Sequence, residues 1–137
     1  YQERAQQEVR NKLYSYKLYS NEVEALISFL ITEGFINEER FAKTLAGGKF
    51  RILKWGRIKI VKALEANQIS KNCIRTALKE IDEADYQRTL HTLLEKKSKS
   101  LTGSPAEKQD KLARYAIQKG YEPALVWTTL KQIVNQS

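Results

Sequence analysis

One apolar pattern occurs three times along this 137-residue chain, at offsets of 51 and then 52 residues. Because 42% of the residues are apolar, one matching triple column arises by chance with a probability of roughly 0.07, so six columns in register indicate an internal repeat. The columns hold Val9, Leu13, Leu18, Val23, Ile27 and Leu30, then Ile60, Leu64, Ile69, Ile74, Leu78 and Ile81, then Leu112, Ala116, Tyr121, Val126, Leu130 and Ile133. A tandem repeat usually builds a surface for partners and not an enclosed pocket.

The spacing within each copy predicts a helix, a short turn and a second helix. Gaps of three and four residues keep side chains on one helical face, and strand alternation is nowhere sustained. We therefore predict an all-α fold of tandem three-helix repeats in an elongated, curved array. The predicted repeats are residues 1–53, 54–100 and 104–137, and the last of them lacks its third helix.

In the first copy we expect helices over residues 2–16 and 21–33, with Ser20 or Asn21 as the cap of the second and Gly34 just past its end. A third helix should begin at Asn37, with Phe41 and Leu45 facing inward. We expect it to bend or stop near the glycine pair at 47–48, since each glycine costs a helix about 1 kcal/mol relative to alanine.

In the second copy we expect helices over residues 55–66, 70–80 and 84–98, with Tyr86, Leu90 and either Leu93 or Leu94 facing inward. The third copy should open with Ser104 as a helix cap, followed by proline in the first helical position and glutamate in the third.

Charge and composition narrow the class of protein. A formal charge of +8 favours polyanions or acidic protein surfaces as partners. A single cysteine cannot form an intramolecular disulfide, and no long apolar run or leader sequence is visible, so we expect a cytoplasmic protein without a membrane span. The sequence begins at Tyr1 and contains no methionine, so we expect it to be part of a longer product.

The strongest candidate for a binding surface is a basic segment that contains no Asp or Glu between its first and last cation. Its members are Lys43, Lys49, Arg51, Lys54, Arg57, Lys59 and Lys62. Phe50 and Trp55 interrupt the charges and would either stack on bases or anchor an interface. The alternative is a solvated basic face whose two aromatic rings pack in the core.

Other clusters give weaker signals. Three cations recur at gaps of three residues on a predicted helix, although Glu107 and Asp110 lie among them; they are Lys108, Lys111 and Arg114. The cluster formed by Lys96, Lys97 and Lys99 lies at the end of a predicted helix, where cations interact favourably with the helix dipole in any protein.

The residues give little support for enzyme chemistry. His91 is the only histidine and Cys73 the only cysteine. A zinc site built from several His and Cys ligands is therefore not available, and a nucleophilic Cys and His pair would need these two residues to meet. We interpret Cys73 as a small buried hydrophobe and His91 as a surface or half-buried residue. The sequence Gly47-Gly48-Lys49 lacks the other residues of a phosphate-binding loop. We expect no catalytic residue, metal or cofactor.

The segment from Gly34 to Ala42, read as Gly-Phe-Ile-Asn-Glu-Glu-Arg-Phe-Ala, resembles a motif of the bacterial RecX family. The resemblance continues through Gly56-Arg57-Ile58 and the segment from Leu64 to Ile69, and the threefold helical repeat extends it over nearly the whole chain. Within the motif, Phe35, Phe41 and Ala42 are interpreted as packing residues, and Arg40 either contacts a partner or forms a local ion pair.

The resemblance implies a non-enzymatic regulator of homologous recombination, DNA repair and the SOS response. Members of this family bind RecA and RecA filaments on single-stranded DNA, and restrain ATP hydrolysis, strand exchange and co-protease activity. It also implies a curved basic array that lies along the deep groove of the filament. We expect a monomer whose basic residues from Lys49 to Lys62 face the partner.

Two other interpretations remain open from the residues alone. Three-helix units resemble helix-turn-helix domains, so the chain could bind DNA directly without RecA. It could also be a scaffold for acidic proteins unrelated to recombination.

Overall fold

The computed structural model describes residues 6–32 and 37–136. Within these residues it is entirely helical, which confirms the predicted all-α class and places the helices in a tandem array. The helices are α1 (Gln6–Tyr14), α2 (Ser20–Thr32), α3 (Glu38–Leu53), α4 (Arg57–Ala66), α5 (Lys71–Leu78), α6 (Glu83–Ser98), α7 (Pro105–Gln118) and α8 (Pro123–Gln136).

The chain divides into two compact units. The first unit comprises the described residues of Tyr1–Gly47 together with Val61–Glu80, and the second comprises those of Gly48–Ile60 and Ile81–Ser137. Helices α3 and α4 each contribute residues to both units, so the segment that joins these helices belongs to the second unit.

The repeated apolar columns form the core, as predicted. In the first unit, Val23 and Ile27 are buried, and partly buried residues of the first copy pack against them; these are Val9, Leu13, Leu18 and Leu30. Most columns of the second and third copies are buried, and Leu78 and Ile133 are half-buried. The second unit also buries Tyr86, Leu90 and Leu94 along one face of α6.

The turn between the first two helices shares one backbone feature in all three copies. The residue before the third apolar column has a positive φ in each copy, at 62° for Lys17, 56° for Gln68 and 103° for Gly120. The amide after it bonds a carbonyl five residues earlier in two of the copies, Ile69 to Leu64 and Tyr121 to Ala116. This left-handed turn ends the helix and satisfies its last carbonyl groups.

Helix caps agree with the sequence in most places. The Ser104 hydroxyl accepts a hydrogen bond from the amide of Glu107, and Asn37 caps α3 by accepting from the amide of Arg40 at 2.9 Å. The predicted cap of α2 is wrong: α2 already begins at Ser20, and the Glu22 carboxylate accepts from the amide of Tyr19. Gly34 and the Phe35 packing prediction lie outside the described residues.

We predicted a bend or a stop near the glycine pair, and the stop is wrong, because α3 continues through both glycines to Leu53. Phe50, which is only 7% exposed, anchors the later part of the helix and offsets the local cost of the glycines. The inward residues of α3 differ from the prediction too: Ala42 and Ala46 are buried, whereas Phe41 and Leu45 are half-buried.

Candidate functional site

Five of the seven cations of the basic segment lie in or beside the junction between α3 and α4, namely Lys49, Arg51, Lys54, Arg57 and Lys59. Lys54 has a φ of 60°, and the amide of Trp55 donates to the carbonyl of Lys49 at 3.2 Å. Two ammonium groups bind the last carbonyls of α3: Lys54 reaches Arg51 at 2.7 Å, and Lys119 reaches Leu53 at 3.0 Å. These cations neutralise the negative end of the α3 dipole.

The turn between α7 and α8 holds this junction by close backbone contact. The Gly56 amide donates to the carbonyl of Lys119 at 2.7 Å, and the amide of Ile58 donates to the carbonyl of Gly120 at 2.9 Å. A Cβ atom on Gly56 would lie 2.2 Å from the carbonyl carbon of Gly120, so only glycine fits there. The Tyr121 hydroxyl completes the attachment by donating to the carbonyl of Lys54 at 3.0 Å.

Arg57 packs against an aromatic ring and pairs with two carboxylates. Its guanidinium lies 3.9 Å from the centre of the Tyr86 ring and pairs with the carboxylates of Glu83 and Glu122, the latter at 3.0 Å. The hydroxyl of Tyr86, a fully buried residue, donates to Glu122 and accepts from the amide of Arg57 at 2.9 Å. The interpretation of Arg57 as a partner contact stays a prediction, and the fold brings two carboxylates to its guanidinium.

The pKa values of this cluster follow from burial and pairing. Burial, together with the hydrogen bond to Glu122, raises the pKa of Tyr86 well above its usual range, so the phenol stays protonated. Burial opposes the charge of Arg57, but the bonds to Glu83 and Glu122 outweigh it and raise the pKa of Arg57. The hydrogen bond from Arg57 lowers the pKa of Glu83. Arg57 and Glu83 therefore stay charged and paired at neutral pH.

Trp55 is held between two lysine side chains. The Lys49 and Lys59 amines lie 4.9 Å and 4.5 Å from the centre of its ring, and the residue is half-buried. Cation–π contacts of this kind stabilise the ring where it lies. Phe50 is buried and its ring lies 5.8 Å from that of Tyr86, so the core alternative is confirmed for Phe50.

A groove in the second unit is lined by four cations, which come from the end of α3, the residue after it, and α6. Phe50, Arg51 and Lys54 line one side at the end of α3, and Asp85, Arg88, Thr89, Thr92, Leu93 and Lys96 of α6 line the other. The groove encloses about 520 Å³ and is open to solvent. Its single carboxylate, that of Asp85, already pairs with Arg88. We call this feature the basic groove.

The remaining predicted cations are dispersed over the two units. In the first unit, Arg40 is exposed on the first turn of α3, Lys43 pairs with Glu39 at 3.2 Å, and Lys62 is exposed on α4. In the second unit, three cations lie on α7. Lys108 is half-buried, Lys111 is exposed, and Arg114 is exposed and pairs with Asp110 at 3.1 Å.

The sequence did not identify two cations of the basic groove as site residues. Arg88 was not singled out, and Lys96 was explained by the helix dipole alone. Their spacing of eight residues places both on one face of a helix, which is a signal the sequence does contain. Tertiary packing places this face of α6 beside the end of α3.

The described residues offer no constellation for metal binding. No group of three or more His, Cys, Asp or Glu side chains within them could hold an ion. His91 is half-buried and lies 2.9 Å from Glu95. Cys73 is also half-buried, which corrects the expectation of a buried thiol, since α5 leaves part of this face open. No described helix combines the length and apolar character needed to cross a membrane.

Two family models match the chain and together cover more than half of it. The model described as the second three-helix domain of RecX matches residues 37–78, and the model of the third three-helix domain matches residues 83–130. The models thus group α3 to α5 and α6 to α8. The repeat boundaries predicted from the apolar columns begin at other helices and remain a prediction.

Several curated relatives match along nearly the whole chain. Regulatory protein RecX of Clostridium tetani is 31% identical over 97% of this chain and 60% of its own length. Regulatory protein RecX of Clostridium perfringens is 27% identical over 96% of this chain and 63% of its own length. The chain therefore spans less than two thirds of the length of these relatives.

Two solved structures have the same fold. A crystal structure of RecX from Lactobacillus salivarius superposes with a TM-score of 0.88 at 24% identity, over 96% of this chain and 86% of that one. A second crystal structure, of regulatory protein RecX, gives a TM-score of 0.84 at 18% identity, over 96% and 65%.

Proposed function

Since the chain belongs to the RecX family, we propose that it binds RecA and RecA filaments on single-stranded DNA and inhibits their ATPase, strand-exchange and co-protease activities. The observation that carries the proposal is the 31% identity to a regulatory protein RecX over 97% of the chain. The proposed role is that of a non-enzymatic, monomeric regulator of recombination.

The distribution of cations supports this proposal and changes its details. Arg51 and Lys54 are exposed in the basic groove, and Lys62 and Lys111 are exposed elsewhere. Such side chains can meet phosphates or carboxylates of a filament. We leave Arg57 out of the proposed contact set, because its guanidinium already forms ion pairs with the carboxylates of Glu83 and Glu122.

The proposal is tested by the rate of ATP hydrolysis by purified RecA on single-stranded DNA at increasing concentrations of this protein. The rate should fall to a plateau as the protein saturates the filament. A rate that stays constant at saturating amounts of folded protein would refute the proposal. The matched control is the same titration of RecA without DNA, in which the rate of ATP hydrolysis should fall less.

Direct DNA binding is a separate activity and is measured without RecA. If the chain were mainly a DNA-binding module, it would bind an oligothymidylate tightly in the absence of RecA, and the affinity would fall steeply with salt. Trp55 weakens that alternative, since its ring contacts two lysine amines and is not presented as an open stacking platform.

A further inference from the structure

We propose that the basic groove of the second unit docks an acidic peptide segment of a partner protein, with an apolar side chain on the groove floor and carboxylates against the flanking cations. The inference deepens the proposed function and rests on it in one respect, because the partner used in the test is RecA. It follows from the charge, the floor and the aromatic positions of this groove.

The positive charge of the basic groove favours an anionic ligand. The groove is lined by four cations and one carboxylate, and that carboxylate is paired with Arg88. A helix C-terminus such as that of α3 would ordinarily repel an anion. Here the ammonium groups of Lys54 and Lys119 bind its terminal carbonyls, so this repulsion is reduced and the Arg51 guanidinium remains exposed.

The uncharged residues that line the groove favour a peptide over a nucleic-acid backbone. Half-buried Leu93 provides apolar surface in the lining of the groove, and Thr89 and Thr92 provide hydroxyl groups. An apolar residue flanked by carboxylates matches this combination of apolar, hydroxyl and cationic side chains. Interfaces of this type derive affinity from the apolar anchor and specificity from the surrounding charges.

The aromatic side chains disfavour single-stranded nucleic acid in the groove. Binding of single strands relies on exposed rings on which bases stack. The only ring that lines the groove is that of Phe50, which is 7% exposed. An oligonucleotide would therefore contact this surface through its phosphates alone.

The first experiment compares two double variants with equal loss of charge. Arg51→Gln/Lys96→Gln removes one cation from each side of the groove and leaves the Arg88–Asp85 pair in place, and Lys79→Gln/Lys131→Gln removes two exposed cations outside it. Affinity for fluorescently labelled RecA without DNA, and for an oligothymidylate without RecA, is measured by anisotropy for each. Circular dichroism melting checks that both variants remain folded.

We expect the groove variant to bind RecA about tenfold more weakly than the parent protein does. The control variant should bind RecA about as tightly as the parent protein. Both variants should show the same reduction in oligothymidylate affinity. Equal RecA affinity for the two variants would overturn the inference, as would a loss confined to the oligothymidylate. If the parent protein itself binds no RecA, the proposed function fails, and that outcome is distinct from failure of the groove inference.

The second experiment identifies the occupant directly. A photo-crosslinking benzoylphenylalanine replaces Thr92, an exposed residue that lines the groove, and the protein is irradiated with RecA bound to single-stranded DNA. Mass spectrometry should recover a crosslinked RecA peptide rich in Asp and Glu that includes an apolar residue. Crosslinks to DNA, or to a neutral or basic peptide, would overturn the inference.

Discussion

Alanine substitutions at Gly56 and Gly48 should change the stability of the protein in opposite directions. At Gly56 the new Cβ atom would lie 2.2–2.4 Å from backbone atoms of Gly120 and Tyr121, so the junction must withdraw from the α7–α8 turn. Withdrawal breaks the backbone bonds from Gly56 and Ile58. Two hydrogen bonds at about 1 kcal/mol each and an overpacking cost of about 1–3 kcal/mol predict a loss of about 3–5 kcal/mol.

Gly48 is the matched control, since a Cβ atom there meets nothing within 4 Å and the residue lies inside α3. Alanine should therefore stabilise the protein by about 0.5–1 kcal/mol, through the lower entropy of the unfolded chain. Urea titration followed by tryptophan fluorescence reports on the second unit, which contains both Trp55 and Trp127.

With a urea dependence of about 2 kcal/mol per molar, the midpoint should fall by about 2 M for Gly56→Ala and rise by about 0.3–0.5 M for Gly48→Ala. A Gly56→Ala midpoint close to that of the parent protein would refute the close-approach argument. A lowered midpoint for Gly48→Ala would show that the middle of α3 is more crowded than its geometry indicates.

Three further substitutions test the turn geometry and the Arg57 cluster. Tyr86→Phe should destabilise the protein by about 2 kcal/mol, because Glu122 and the amide of Arg57 each lose a hydrogen-bond partner; an unchanged thermal midpoint would contradict this. Gln68→Gly should stabilise the protein by about 0.5–1 kcal/mol, since glycine adopts its φ of 56° without steric cost, and lower stability in urea would count against it. Glu83→Gln should destabilise the protein at pH 7 but progressively less as the pH falls below about 4.5, the usual Glu value. The sign follows because the pKa of Glu83 is lowered by folding, so its contribution is present above that pH and is lost on protonation; a pH-independent difference in urea stability would disprove it.

Much of the fold could be predicted from local patterns. The apolar columns predicted which positions are buried, and the serine and proline at 104–105 predicted the start of α7. The errors in α3 have a common origin. Local propensity favoured a break at the glycine pair, but burial of Phe50 beyond it sustains the helix.

The candidate site was less predictable, because charge pairing depends on distances in space. The basic segment contains no carboxylate along the sequence, yet Arg57 pairs with residues 26 and 65 positions away. The same packing brings Arg88 and Lys96 opposite Arg51 across the basic groove.

The sequence by itself determined the all-α class, most core positions and the family. Burial of one face of a helix requires apolar residues at gaps of three and four, and that spacing is visible in the sequence. Only the tertiary structure decided which cations remain available to a partner. Ion pairs, cation–π contacts and close glycine contacts join residues that are far apart in the chain, so no local pattern records them. Folding therefore pairs Arg57 with Glu83 and Glu122 and leaves Arg51 exposed in the groove.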